Sequence, residues 1–221
     1  MFKVALDGPS GSGKSVMAKA VAEKMGFLYV DTGALYRAVG LYMFENKIGK
    51  NEKEKIVENL KNIDLEMKHE NGTQIVFLNG KDVSKEIRLP EISMYASAVS
   101  AIPEVRKFLL GTQRKVAEKY NVIMDGRDIG TVIFPDADVK IFLFADDEVR
   151  AKRRYKELCE KGVQTTLEDV LSDMKLRDEN DRTRKIAPAL PAPDAYMLNN
   201  SNLTLEETLD KIISLITEKL K

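Results

Sequence analysis

The stretch Gly8-Pro9-Ser10-Gly11-Ser12-Gly13-Lys14-Ser15 decides the fold, because an apolar run (Phe2–Leu6) precedes it and helical periodicity follows it. Glycines at this spacing let the backbone curl into a concave nest whose N–H groups point at phosphate oxygens. Lys14 adds a positive charge near the β- and γ-phosphates, and the Ser15 hydroxyl is suited to ligate Mg²⁺. A helix is expected from about Lys14, with Val16, Met17, Ala20, Val21 and Met25 on one face. Its positive end then also faces the nucleotide. The loop implies a bound nucleoside triphosphate and leaves the reaction open.

Outward from the loop, Phe27–Val30 reads as a second strand ending at Asp31-Thr32-Gly33, and a helix follows from about Ala34 to Glu45. Strand–helix–strand–helix at this spacing predicts a right-handed parallel unit with ligands at the carboxyl edge of its sheet. After Lys50 the rhythm changes. Ile56–Leu60 reads as helix, and then Ile63–Met67, Gln74–Leu78 and Val83 are separated by Asn71-Gly72 and Asn79-Gly80. Asn-Gly between apolar runs predicts hairpins, so a small antiparallel insert interrupts the parallel sheet. His69, beside the first of these turns, is expected to be solvated. Ile92–Ile102 and Val105–Tyr120 read as helices, Val122–Met124 and Val139–Phe144 as buried strands. Two charged helices follow, about Asp147–Lys161 and Leu167–Lys185, then a last strand at Ala195–Leu198 and an amphipathic helix at Leu205–Leu220.

Composition narrows the class. With 221 residues the chain can bury a core by itself, so a monomer is the default. Lys+Arg and Asp+Glu both count 35, which gives no net field to attract a polyanion and argues against a nucleic-acid binder working by bulk charge. The single cysteine, Cys159, excludes an intrachain disulfide and suits a reducing cytosol; it is expected to be a partly buried thiol without a role. The N-terminal apolar run stops at Asp7, and no stretch approaches membrane-spanning length. A cytoplasmic protein without a membrane partner is the expectation.

Several charged residues fall where chemistry would need them. Asp125 ends an apolar strand, where a carboxylate can orient Mg²⁺ or its water shell. Arg127 and Asp128 follow at once, one suited to fork a phosphate, the other to accept a base amine or sugar hydroxyl. Arg37, on the helix after Asp31-Thr32-Gly33, can overhang the same crevice, which points to a second anionic ligand. Arg150, Arg153 and Arg154 share one helix, and Arg177, Asp181 and Arg184 share a face of the next. Beside a phosphate loop, such a helical pair reads as a lid that brings positive charge to the transition state.

These pieces together resemble the bacterial cytidylate kinases, a branch of the nucleoside monophosphate kinases among P-loop proteins. The resemblance is carried by Asp7–Ser15, by Asp31-Thr32-Gly33-Ala34-Leu35-Tyr36-Arg37, and by Asp125-Gly126-Arg127-Asp128-Ile129-Gly130-Thr131-Val132-Ile133-Phe134-Pro135. Arg177-Asp178, Arg182-Thr183-Arg184 and Ile186-Ala187-Pro188 continue it in family order. It implies a P-loop NTPase fold of α/β class: a parallel sheet flanked by helices, a small antiparallel insert and a helical lid. It also implies one domain, with residues 1–61, 100–145 and 186–221 as core, 62–99 as the monophosphate-binding insert, and 146–185 as lid and following helix. The implied reaction moves the γ-phosphoryl group of ATP, with Mg²⁺, to CMP or dCMP. Catalytic roles fall to Lys14, Arg127, Arg153 and Arg154, and metal binding to Ser15 and Asp125. Thr32, Arg37, Arg127 and Arg184 would hold the acceptor phosphate. Ser97, Arg106 and Asp128 would read cytosine, and Arg177 and Asp181 would hold the sugar. The cradle extends to Val16, which stands where many relatives have Thr; weaker ATP binding or a water in place of the hydroxyl is expected. Asn199 stands where an Asp is usual. The competing readings are a kinase for another monophosphate such as UMP, and a nucleotide-driven switch. A guanine-reading Asn-Lys-x-Asp segment, which a GTPase switch would be expected to carry, is absent from the sequence.

Overall fold

The computed structural model describes residues 1–70 and 73–221. The chain runs β1 (Lys3–Asp7), α1 (Lys14–Met25), β2 (Leu28–Asp31) and α2 (Thr32–Glu45). Then α3 (Lys53–Asn59) leads into β3 (Leu65–Glu70), β4 (Thr73–Leu78) and β5 (Lys81–Asp82). Two helices, α4 (Pro90–Ser100) and α5 (Pro103–Lys115), return it to β6 (Val122–Gly126), a π-type turn (Ile129–Ile133) and β7 (Val139–Phe144). It closes with α6 (Asp147–Glu160), α7 (Leu167–Thr183), β8 (Tyr196–Asn199) and α8 (Leu205–Leu220).

The main sheet has the order β2-β6-β1-β7-β8, and every neighbouring pair is parallel. A parallel sheet is covered on both faces, which is why its strands read as unbroken apolar runs. One face packs Val4, Leu6 and Ile141 against Met17 and Val21 of α1 and Ile212 and Ile216 of α8. The other packs Ala5, Val30 and Met124 against the π-type turn. In α1 the buried face is Lys14, Met17, Ala18, Val21 and Ala22. Val16, expected on that face, is 54 % exposed, because the helix turns it toward the mouth of the sheet.

Register brings the functional loops together. Leu6 and Asp31 both stand opposite Asp125, so the loops after β1, β2 and β6 leave the sheet at one edge. Local signals hold their starts and stops. Asp31 caps α2 by accepting the Ala34 N–H at 3.0 Å, and Gly26 ends α1 in the left-handed region with φ 67°. Thr204 and Glu207 form a reciprocal capping box on α8.

The insert is antiparallel as expected, with β3 paired to β4 from Leu65–Leu78 to Glu70–Thr73. Asn79 and Gly80 take positive φ (50° and 80°) in the turn to β5. The other expected turn, Asn71-Gly72, lies outside the described residues. Its core is continuous with α2, α4 and α5 through Ile56, Val76, Ile87, Ile92 and Leu109. Gln74 of β4 bonds both backbone groups of Asp31, accepting its N–H at 2.8 Å and donating to its carbonyl at 3.1 Å. His69 is half-buried, with Nε2 3.0 Å from the Tyr29 carbonyl. Burial pushes its pKa down. The expectation of a merely solvated histidine is corrected: it ties the insert to β2. Cys159 is exposed, where a partly buried thiol was expected, because α6 turns it away from the small core formed with α7.

Candidate active site

Three glycines shape the cradle between β1 and α1. Gly8, Gly11 and Gly13 have φ of 151°, 71° and 91°. A Cβ on Gly8 would lie 2.0 Å from the Leu143 carbonyl oxygen, so only glycine lets the loop cross β7. Gly8→Ala is therefore expected to destabilise the protein by about 3 kcal/mol or more. Gly26→Ala, where an added Cβ meets nothing within 4 Å, should cost only about 1 kcal/mol of left-handed strain. Urea unfolding of the two variants checks the contrast.

Inside the loop, the Lys14 ammonium donates to the Pro9 carbonyl at 2.6 Å, and Ser12 Oγ donates to the same carbonyl at 3.1 Å. Lys14 is buried, and burial followed by the charge of Arg127 pushes its pKa well below the ordinary amine value. The loop is braced from outside by residues that no local pattern ties to it. Asp178 accepts the Ser10 N–H at 3.0 Å and holds Arg150, whose Nη1 also donates to the Ser10 carbonyl at 2.6 Å. Asn200 donates to the Ser12 carbonyl at 3.0 Å.

Asp125 sits under the cradle. Ser15 Oγ donates to its Oδ2 at 2.7 Å and the Tyr29 hydroxyl to its Oδ1 at 3.0 Å. Burial, then the charge of Asp31, raises its pKa. Thr32 Oγ1 donates to the Asp125 carbonyl at 2.9 Å, which stitches β2 to β6 at the same edge. Tyr29, absent from the sequence expectations, could not be found from its place in an apolar strand.

A cleft of about 770 Å³ runs from this cradle to α4 and α5. Its walls hold every expected acceptor residue: Thr32, Arg37, Ser97, Arg106, Arg127, Asp128, Arg177, Asp181 and Arg184. From the cradle, Ser10, Gly11, Gly13, Lys14, Ser15 and Val16 reach the cleft, whereas Gly8, Pro9 and Ser12 stand behind it. Arg127 donates from Nε to Asp181 at 3.0 Å, and Arg37 pairs with Asp31 at 2.6 Å. Burial would raise the Asp31 carboxyl, yet Arg37 and Arg88 hold it below its ordinary value. Nε of Arg177 and of Arg37 are buried without a hydrogen-bond partner among the described residues. Burial, then the neighbouring charge of Arg127, pushes Arg177 down to about 10. Guanidiniums crowded this way give the cleft a positive wall suited to an anion.

At the far end Asp128 is gripped by Arg106 and, at 3.2 Å, by Arg184. Arg106 also donates to the Ser100 carbonyl at 3.0 Å, and Arg184 to Ser100 Oγ at 3.1 Å. Arg184 Nε donates to the Ala187 carbonyl at 2.6 Å, and Ala187 accepts a left-handed φ of 49° to present it. The two lid arginines line the cleft with other partners: Arg153 on Asn200 at 2.9 and 3.2 Å, Arg154 on Glu157 at 2.8 Å. Arg88, from the insert, also lines the cleft, near Asp31; no sequence pattern marked it.

A glycine cradle with its lysine, set at the carboxyl edge of a parallel sheet and facing an arginine-rich pocket, defines a P-loop protein of the nucleotide-kinase type. The family model described as cytidylate kinase matches residues 4–218. A cytidylate kinase of Caldicellulosiruptor saccharolyticus is 50 % identical over 214 residues, covering 97 % of this chain and 95 % of that one. One of Thermosipho melanesiensis is 48 % identical over 219 residues, covering 99 % and 98 %. The chain belongs to the cytidylate kinase family. In fold alone it is also similar to an uncharacterized protein from Eubacterium ventriosum, with a TM-score of 0.54 at 15 % identity, covering 98 % of this chain and 99 % of the other.

Proposed function

We propose that this protein transfers the γ-phosphoryl group of ATP to CMP or dCMP, giving ADP and CDP or dCDP. One observation carries the reading: the phosphate cradle and the Asp128–Arg106 pair open on a single cleft, with the arginines between them. The Lys14 ammonium and the N–H groups of Gly11, Gly13, Lys14 and Ser15, which reach the cleft, bind the donor's phosphates. Arg37, Arg127, Arg177 and Arg184 take the acceptor's charge, and Asp181 with Arg177 holds its sugar. Asp128 and Ser97 accept from the cytosine amine while Arg106 donates to N3 and O2. The pocket needs no general base, because a phosphate monoester has a second pKa near ~6 and is ionised at neutral pH. The residues are left with placing two repelling anions in line and excluding water, which closure of α6 and α7 achieves by bringing Arg153 and Arg154 inward.

Mg²⁺ fits the donor set. Ser15 and Asp125 offer a hydroxyl and a carboxylate oxygen in contact, both hard ligands suited to a cation that keeps waters and phosphate oxygens in its shell. When bound, the ion neutralises charge on the β- and γ-phosphates. No group of three or more His, Cys, Asp or Glu among the described residues could hold a metal. A chain of 221 residues can bury its own core, which supports a monomer, and its single cysteine suits the cytoplasm.

An ADP-release assay over a panel of acceptors tests the reading. Release that depends on CMP or dCMP supports it, UMP preference redirects it to another monophosphate, and acceptor-independent release replaces it with a switch. Asp128→Asn is expected to lower the CMP-to-UMP ratio of kcat/KM by ~10-fold or more, since an amide can donate to uracil O4 where the carboxylate repels it. Steady-state kinetics with both acceptors reads this.

A further inference from the structure

Asp7 is the last residue of β1, directly before the cradle, and is 4 % exposed. It is not among the residues that line the cleft. Oδ1 accepts the N–H of Ile129 and Oδ2 the N–H of Gly130, each at 2.8 Å, from 122 and 123 residues along the chain. Those two amides open the π-type turn Ile129–Ile133, for which Asp128 is the capping residue. The first N–H groups of any helical turn lack partners within it. An Asp at the capping position ordinarily folds its own side chain back to accept from the second or third of them. Here Asp128 makes no side-chain cap bond. Its carboxylate is committed outward, to Arg106 and Arg184 in the cleft.

The geometry points to Asp7 as a positioning residue for acceptor recognition: it caps the turn in place of Asp128 and so leaves the Asp128 carboxylate free to read the base. The inference rests on the CMP-kinase reading above and deepens it. The arrangement is one that only a negative group can serve, because both neighbours across the gap are donors. Burial raises the Asp7 carboxyl to about 6 while the Gly130 and Ile129 N–H groups draw it back down, as expected for an acid kept in a dry site for its two acceptor oxygens. Without it, Asp128 faces a choice. Its side chain can fold back to the orphaned Gly130 N–H or remain with Arg106, and the local bond competes at short range.

Asp7→Asn keeps the volume and replaces one acceptor with an N–H₂ that opposes a backbone donor. The expected result is a fall of ~10-fold in the CMP-to-UMP ratio of kcat/KM, with KM for ATP changed by less than ~2-fold. In an Asp128→Asn background the same change should add nothing to that ratio, since the effect runs through Asp128. A uniform loss of rate with the ratio intact, or an undiminished effect in the Asp128→Asn background, overturns the inference. Amide hydrogen exchange gives a readout that does not depend on the acceptor: Ile129 and Gly130 should be slow in the unaltered protein and fast in Asp7→Asn. Unchanged protection overturns the cap, whatever the kinetics. Unaltered enzyme that ignores CMP overturns the functional reading alone, and the exchange result still decides the cap. Asp7→Ala serves as the second variant; failure of both to fold would make Asp7 a residue of fold integrity and end the proposal.

Discussion

Lys14→Ala is expected to lower kcat by roughly 10³-fold while leaving the protein folded and its melting temperature unchanged or slightly raised. The two halves of this outcome have separate causes. In the cradle the ammonium is buried and rests on the Pro9 carbonyl, with Arg127 near enough to depress its pKa further. A buried cation whose pKa falls on folding costs stability, so its removal relieves the fold. On the proposed reading the same ammonium would meet the β- and γ-phosphates of ATP, where its charge would be worth most as the phosphoryl group moves. Fixed positive charge in a dry site needs no reorganisation at that moment, which water filling the space of an alanine cannot match. Thermal unfolding paired with single-turnover kinetics reads both halves. A drop in melting temperature that accounts for the lost rate would make Lys14 a structural residue.

How much of this site the sequence discloses depends on how far apart its parts lie along the chain. The cradle is legible because its geometry is local: glycines, strand before and helix after are all within a few residues of Lys14. The strand Val139–Phe144 and the helix Leu205–Leu220 are legible for the same reason, and their bounds agree with the structure residue for residue. The braces on the cradle are a different matter. Asp178 and Asn200 reach Ser10 and Ser12 across 168 and 188 residues. Asp178 belongs to a run that carries the family resemblance, yet nothing local ties it to the cradle, and Asn200 reads as an ordinary polar residue after a strand. The π-type turn at Ile129–Ile133 has no periodicity to betray it, because the acceptor that stabilises it is Asp7. Val16 shows the opposite failure. Helical spacing alone put it with Met17 and Val21, but the sheet edge leaves the start of α1 uncovered on that side. His69 likewise looked like a turn residue, and only docking of the insert on β2 gives it the Tyr29 carbonyl.

Arg127→Ala should lower kcat by a comparable ~10³-fold, and Arg127→Lys should recover only a small part of it. Position is the reason. Arg127 lines one cleft with Lys14 and Arg177, and its charge depresses the pKa of both; on the proposed reading these serve the donor and the acceptor phosphates. Its Nε is spent on Asp181 Oδ2 at 3.0 Å, and Nη1 lies 3.3 Å from the Gly126 carbonyl, which fixes the plane of the guanidinium. Lysine can reach Asp181 or the cleft, and its single nitrogen cannot do both. The ligand-free protein has no need of this crowding, since three like charges in one cleft repel. Arg127→Ala should thus raise the Arg177 pKa only part of the way, because burial is its larger cause. The relief of repulsion is set against the loss of a partner for buried Asp181, so the melting temperature should fall by a few degrees at most beside the ~10³-fold loss of rate. The repulsion becomes useful only when two anions enter: each phosphate offsets a part of it, and a transition state with charge shared between them offsets the most. The measurement that decides is the split between kcat and KM for CMP. Loss mainly in kcat places Arg127 on the group in flight; loss only in the KM for CMP reduces it to an acceptor anchor like Arg37.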